Sequence, residues 1–121
     1  MPSVVERRSY GSVRVYWLNH EEAVRRLEEA ARRLISERPE VRAVVLFGSL
    51  AEGRAVPGSD ADLLLVLRSS DRPWMDRPPE YLPYFRGIGL SLDLFCYTEE
   101  EIEQLPLARR ALSRGRRLAA R

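Results

Sequence analysis

The chain has 121 residues, of which 45% are hydrophobic and 31% are charged, and its 20 basic and 18 acidic residues leave a net charge of +2. We expect residues 1–121 to form a single small domain with one core, without room for a second, substrate-binding domain. The near balance of charge argues against direct nucleic-acid binding, and no apolar run reaches the ~18 residues that span a bilayer, so we expect a cytoplasmic protein without membrane association.

The N-terminal part predicts a strand followed by a long helix. Residues 13–18 are expected to form the first strand, and Asn19 is placed to cap a helix that ends before Pro39. Apolar residues recur on one face of this helix, and Glu and Arg residues lie three to four positions apart on the remainder. This pattern indicates a solvated amphipathic helix rather than a nucleic-acid-binding surface.

Two apolar runs flank the most informative part of the chain. The first, residues 41–47, is followed by Gly48, and the second, residues 63–67, follows directly on Asp60 and Asp62. Side chains two positions apart in a strand point the same way, so the two aspartates are expected to converge. Neighbouring carboxylates repel each other unless a cation lies between them, and oxygen ligands combined with substrate phosphates favour Mg²⁺.

Gly48 and Ser49 have a complementary character. Glycine lets the backbone approach a phosphate closely, and serine offers a hydroxyl and an N–H to phosphate oxygens. The alternative is that Gly48 and Ser49 only end a strand and that the two aspartates are solvated acids. The buried apolar runs on both sides argue against that alternative. Arg54, in the connection that follows, is a further candidate for the phosphates, although an arginine there is equally compatible with simple solvation.

A third carboxylate, Asp93, lies inside another predicted strand, residues 91–97. Acids are depleted in strands and costly to bury, so Asp93 needs a partner. The partner is either a metal ion shared with Asp60 and Asp62 or one of the many arginines. We prefer the shared metal because the other two aspartates are present.

The remaining segments are less specific. Residues 68–89 combine prolines, glycines and aromatics, which predicts an ordered excursion packed on the sheet. Its aromatic residues either support adenine or a partner protein, or only anchor the segment. Residues 98–113 predict a C-terminal helical region. The chain ends in a basic tail that meets ATP phosphates, an acidic partner or solvent, and its arginines are Arg109, Arg110, Arg114, Arg116, Arg117 and Arg121.

The segments Gly48–Gly53 (GSLAEG) and Ser59–Leu64 (SDADLL), together with Asp93, resemble the minimal nucleotidyltransferases of the polymerase-beta-like superfamily. The resemblance covers nearly the whole chain. It implies an α/β (α+β) fold, with a mixed β-sheet of about four to five strands and helices packed on one face. It also implies ATP as substrate and two Mg²⁺ ions.

The same resemblance implies a role for each residue of the motif. Catalysis and metal binding would fall to the carboxylates Asp60, Asp62 and Asp93, and Asp93 would also assist the incoming nucleophile. Gly48 and Ser49 would bind the triphosphate, with Arg54 as the additional nucleotide-binding candidate.

Stand-alone domains of this type resemble the antitoxin halves of toxin–antitoxin modules, which transfer AMP to a tyrosine of a helical HEPN toxin. The resemblance therefore implies a protein adenylyltransferase that acts on such a partner. One alternative is a non-catalytic binding module that silences its partner by contact, and the intact set of carboxylates argues against it. Another is a small-molecule nucleotidyltransferase, for which this short chain could build a pocket only as a homodimer. Homo-oligomers and hetero-oligomers are both compatible with the sequence.

Overall fold

The computed structural model describes residues 4–10, 13–57 and 59–121. Its strands are β1 (Val5–Tyr10), β2 (Val13–Leu18), β3 (Val41–Phe47), β4 (Ala61–Leu67), β5 (Leu92–Thr98) and β6 (Arg116–Ala120). Its helices are α1 (His20–Glu37), α2 (Gly48–Ala51), α3 (Pro78–Tyr81), α4 (Glu99–Ile102) and α5 (Pro106–Arg114). Short 3₁₀ turns, Trp74–Asp76 and Leu82–Phe85, lie on either side of α3. No helix in these described ranges is long and apolar enough to cross a membrane.

Helix α1 begins and ends close to where its sequence predicts. The Asn19 side chain accepts a hydrogen bond of 3.1 Å from the backbone N–H of Glu22, which satisfies one of the free donors at the helix start. The helix ends at Glu37, because the residue before Pro39 is disfavoured in the helical conformation. The side chains that it buries are Ala23, Arg26, Leu27, Ala30, Ala31, Leu34 and Ile35.

Four strands form a mixed sheet in the order β5-β4-β3-β6. Strand β3 pairs antiparallel with β4 on one side and with β6 on the other, whereas β4 and β5 run parallel. In the described ranges, strands β1 and β2 pair with each other as a separate antiparallel two-stranded sheet. The predicted mixed sheet is therefore confirmed, with four strands.

The helices cover both faces of this sheet, whereas we expected them on one face. Along β3, Val44 and Leu46 belong to the core cluster that contains the buried side chains of α1. The alternate residues Ala43 and Val45 belong to a second cluster with Ala111 of α5. Strands β3 and β4 are apolar at almost every position, so each of their faces must be covered.

The arginine-rich C-terminus forms a strand, which the sequence did not predict. Strand β6 pairs with β3 at the sheet edge, and Leu118 is buried there. Arg121 continues the pairing, since its backbone N–H donates to the Arg42 carbonyl at 3.0 Å and its Nε donates to the Val41 carbonyl at 2.9 Å. An edge strand leaves arginine side chains exposed, so it lacks the apolar run by which buried strands are recognised.

The segment between β4 and β5 is ordered, as expected, and Arg77 anchors it. The Arg77 guanidinium makes two hydrogen bonds to the Glu101 carboxylate, at 2.6 and 3.1 Å, and one to the Cys96 carbonyl at 3.0 Å. Arg77 is buried, as are Tyr81 and Phe85 from the same segment. These contacts join the segment to β5 and α4 and position the aromatic residues beside the sheet.

Candidate active site

Asp62 and Asp93 lie side by side in the two parallel strands of the sheet. The register of β4 and β5 sets Asp62 opposite Asp93, and Asp60 precedes β4 by one residue. Because side chains alternate along a strand, Asp62 projects from the same face as Leu64, and Asp93 from the same face as Phe95. Leu64 and Phe95 both belong to the cluster beneath α5. The two carboxylates therefore share the α5 face of the sheet.

Asp60 and Asp93 affect the ionisation of Asp62. The pKa of Asp62 is raised, chiefly because partial burial disfavours its charged form and further because Asp93 and Asp60 repel it. Among the described residues, no arginine forms an ion pair or hydrogen bond with any of the three carboxylates. The alternative in which an arginine neutralises Asp93 therefore has no support in that part of the chain.

Gly48 brings the backbone against the Asp62 carboxylate. Phe47, the last residue of β3, pairs with Asp62 of β4, and the chain then enters α2 at Gly48 with a φ of +75°. A Cβ atom at position 48 would lie 2.4 Å from Oδ2 of Asp62. Both the positive φ and this close approach require glycine, so the predicted Gly48 and Asp62 are in direct proximity.

Ser49 and Arg54 occupy different positions relative to this centre. Ser49 follows Gly48 in α2 and is half-buried, and its carbonyl accepts a hydrogen bond of 2.8 Å from the backbone N–H of Arg54. The Arg54 side chain is exposed and pairs with Glu52, with 3.0 Å between Nη2 and Oε2. The structure thus brings Ser49 next to the Gly48–Asp62 contact, while the Arg54 guanidinium is engaged by Glu52.

The charge and donor type of the carboxylates fit a hard divalent cation. In the described ranges, however, no three side chains of His, Cys, Asp or Glu are arranged to hold a metal ion by themselves. Proteins commonly bind Mg²⁺ through one or two carboxylates, with phosphate oxygens and water completing the octahedron. The residues present are therefore suited to an ion that is shared with a phosphate-bearing ligand.

An apolar groove begins beside the aspartates and follows β5 along the α5 face. Phe47, Phe95, Tyr97 and Leu107 line it, and the rings of Phe47 and Phe95 lie 5.5 Å apart. At the far end, the ring of Trp74 lies 6.4 Å from that of Tyr97 and is more than half exposed. The sequence indicated an aromatic platform in the segment of Trp74, but Phe95 and Tyr97 were not recognised. Phe95 and Tyr97 alternate with Leu94 and Cys96 along β5, and this alternation could have indicated that both aromatic side chains project from the same face of the sheet as Asp93.

Comparison with known proteins identifies the family. The model of the nucleotidyltransferase domain family matches residues 24–117, which include all three aspartates and Gly48. A crystal structure of a candidate nucleotidyltransferase from Sulfolobus solfataricus is similar, with a TM-score of 0.64, 21% identity and coverage of 84% of each chain. At that identity the similarity concerns the fold. No curated protein matches the sequence. Because the family model matches well over half of its length, this chain belongs to the nucleotidyltransferase domain family.

Proposed function

We propose that this protein is a Mg²⁺-dependent nucleotidyltransferase that transfers AMP from ATP to a tyrosine of a HEPN-type helical toxin, as the antitoxin of a toxin–antitoxin module. Membership of the nucleotidyltransferase family supports nucleotidyl transfer. The observation that carries the proposal is the arrangement of Asp62, which lies against Gly48 and opposite Asp93 without a cationic partner among the described residues. ATP as substrate implies a cytoplasmic site of action.

Each residue of the centre has a chemical role in this proposal. Asp60, Asp62 and Asp93 would hold Mg²⁺ together with phosphate oxygens. Bound Mg²⁺, as two ions, would neutralise charge on the α-phosphate and on the departing pyrophosphate. Gly48 and Ser49 would form the phosphate-binding side, since the missing Cβ lets the Asp62 carboxylate lie directly against the backbone there and Ser49 supplies N–H and O–H donors.

The transfer itself requires one proton acceptor. The acceptor hydroxyl oxygen attacks the α-phosphorus while Asp93 accepts the hydroxyl proton, and the bond from the α-phosphorus to the bridging oxygen breaks to release pyrophosphate. Asp93 is exposed at the start of β5, where an acceptor can reach it. Asp62 is the more buried of the neighbouring pair and is better suited to a fixed position beside the phosphates.

The acceptor we propose is a protein because the groove beside Asp93 is open and apolar. Leu107 lines it and is 64% exposed. Trp74, whose ring lies near Tyr97 at one end, and the adjacent Met75 are 55% and 65% exposed. Aromatic and apolar side chains of this kind are typical of the centre of protein interfaces.

Arg54 has a smaller part in the proposal, since its pairing with Glu52 neutralises an acid close to the phosphate-binding side.

Co-expression with the candidate helical partner tests this proposal. The intact mass of the partner is compared after co-expression with the unmutated protein and with a variant carrying Asp60→Asn and Asp62→Asn. We expect an increment of one or more adenylyl groups only with the unmutated protein. A stable complex without any increment would instead favour a non-catalytic binding module, and a homodimer that modifies no protein would favour a small-molecule enzyme.

A further inference from the structure

A second pocket opens beside Gly48, between α2 and α5. The residues that line it come from the end of β3, from α2 and the turn after it, and from α5: Phe47, Gly48, Ala51, Glu52, Leu107, Arg110, Ala111, Arg114 and Gly115. Because the Asp62 carboxylate contacts the position where a Gly48 side chain would stand, this pocket adjoins the aspartates.

Helix α5 presents two arginines to this pocket at helical spacing. Leu107, Arg110, Ala111 and Arg114 follow the pattern i, i+3, i+4, i+7 and so lie on one side of the helix. Ala111 is buried against the sheet, whereas both arginines are exposed. Ala111 lines the same pocket, and its small side chain leaves room between α5 and Gly48.

The pocket has an excess of positive charge. Within the described part of the chain, neither Arg110 nor Arg114 forms an ion pair with an acid. The acid among the lining residues is Glu52, and its carboxylate is already paired with Arg54 at 3.0 Å. Two guanidinium groups without acidic partners in one pocket suit a polyanionic ligand, because guanidinium binds phosphate through paired hydrogen bonds.

We propose that Arg110 and Arg114 bind the β- and γ-phosphates of the nucleoside triphosphate, an inference that rests on the proposed function. The α-phosphate must lie near Asp62 and Asp93 for transfer to occur. Gly48 lies between those carboxylates and the two arginines, so the remaining phosphates extend past Gly48 towards α5. The arginines would also hold the pyrophosphate after the transfer.

If Arg114 only stabilised the end of α5, the effects of its replacement would differ from those expected for a phosphate-binding residue. Arg114 is in the last turn of α5, where a cation interacts favourably with the free carbonyl groups of the helix end. If that were its function, its replacement would lower the melting temperature and leave phosphate binding unchanged. Melting temperatures must therefore be measured on the same variants as the binding constants.

The test compares two double variants that remove the same charge from α5 and the residues after it. Arg110→Gln with Arg114→Gln removes the arginines that line the pocket with Gly48. Arg109→Gln with Arg117→Gln removes arginines that line only the neighbouring groove, which Arg110 and Arg114 also border and which lacks Gly48. Calorimetry with Mg²⁺ at constant ionic strength gives the affinity for ATP and for inorganic tripolyphosphate. We expect the pocket variant to bind both ligands at least about tenfold more weakly than the control variant, with an unchanged melting temperature.

The outcomes separate this inference from the proposed function. Equal affinities in the two double variants, with AMP transfer intact in the unmutated protein, would overturn the phosphate site and leave the proposed function standing. Tripolyphosphate binding that depends on Arg110 and Arg114, without AMP transfer to any acceptor, would support the phosphate site and overturn the proposed function. Failure of the unmutated protein to bind either ligand would overturn both.

Discussion

The Asp62 carboxylate occupies space that any side chain at position 48 would need: a Cβ atom there would lie 2.4 Å from Oδ2 of Asp62. This contact joins the end of β3 to the start of β4 and sets a backbone without a side chain beside a carboxylate with a raised pKa. Both the stability of the fold and the transfer reaction should therefore depend on this pair.

Replacing Gly48 with alanine should affect both stability and transfer. Gly48→Ala introduces strain at a φ of +75° and a clash with Asp62, whereas Gly53→Ala introduces strain at a φ of +74° with no atom within 4 Å of the new Cβ. The strain alone costs about 1–2 kcal/mol in either variant. We expect denaturant unfolding to show the larger loss for Gly48→Ala, and AMP transfer to be lost only there. Equal behaviour of the two variants would contradict the contact.

Asp62→Asn should raise the unfolding free energy relative to the unmutated protein, and this gain should be larger at neutral pH than at acid pH. The pKa of Asp62 in the folded protein lies above its ordinary value of 3.8, so ionisation of this group opposes folding as pH rises between the two values, and the penalty persists at higher pH. Below the ordinary value the carboxyl is protonated in both states and the penalty vanishes. The unfolding free energy of Asp62→Asn minus that of the unmutated protein should therefore be more positive at pH 7 than at pH 3. A difference that does not change with pH would refute the raised pKa.

Magnesium should stabilise the folded protein through the same carboxylates. At a free Mg²⁺ concentration tenfold above its dissociation constant, the gain is about 1.4 kcal/mol, and it should disappear at acid pH because protons compete for the ligands. We expect differential scanning calorimetry to show the gain in the unmutated protein and in Asp76→Asn, a control that removes an exposed carboxylate of the 3₁₀ turn. The gain should be absent from Asp60→Asn with Asp62→Asn. Stabilisation that survives in this last variant would place the ion elsewhere.

The anchor of the segment between β4 and β5 should make a large contribution to stability. Arg77→Met keeps most of the side-chain volume but removes the cation that pairs with Glu101 and the donor to the Cys96 carbonyl, which should cost about 2 kcal/mol. Arg72→Met, in which an exposed arginine loses a 3.5 Å pair with Glu80, should cost less than about 0.5 kcal/mol. Urea unfolding measures both. Similar losses in the two variants would mean that the Arg77 network is not the anchor.

Most of the aspartate centre was predictable because its signal is local. Asp60 and Asp62 precede an unbroken buried run, and Gly48 follows another, so the two strand ends and the spacing between them could be recognised from the order of the residues alone. The sequence predicted that Asp62 and Asp93 share a site but not the register that sets them opposite each other, since parallel pairing joins strands that are far apart in the chain.

The features that were not predicted depend on packing between distant segments. Strand β6 has no buried run of its own and exists because β3 offers it an edge. Helices cover both faces of the sheet because α5, which follows β5 and α4, packs against β3 on the face opposite α1. The periodicity of a helix does not reveal which face of a sheet it covers. For the basic tail that contains Arg110 and Arg114, the sequence left ATP phosphates, an acidic partner and solvent as alternatives. Only the position of α5 beside Gly48 distinguishes these two arginines from Arg109 and Arg117.

The measurement that tests the central claim most directly is label transfer from ATP to the purified helical partner in the presence of Mg²⁺. Parallel reactions contain ATP labelled at the α-phosphate or at the γ-phosphate, each with the unmutated protein and with the variant carrying Asp60→Asn and Asp62→Asn. We predict that the partner acquires the α-label and not the γ-label, and that the variant transfers neither. Transfer of the γ-label would indicate a kinase, and α-label transfer that persists in the variant would contradict a centre built on these aspartates.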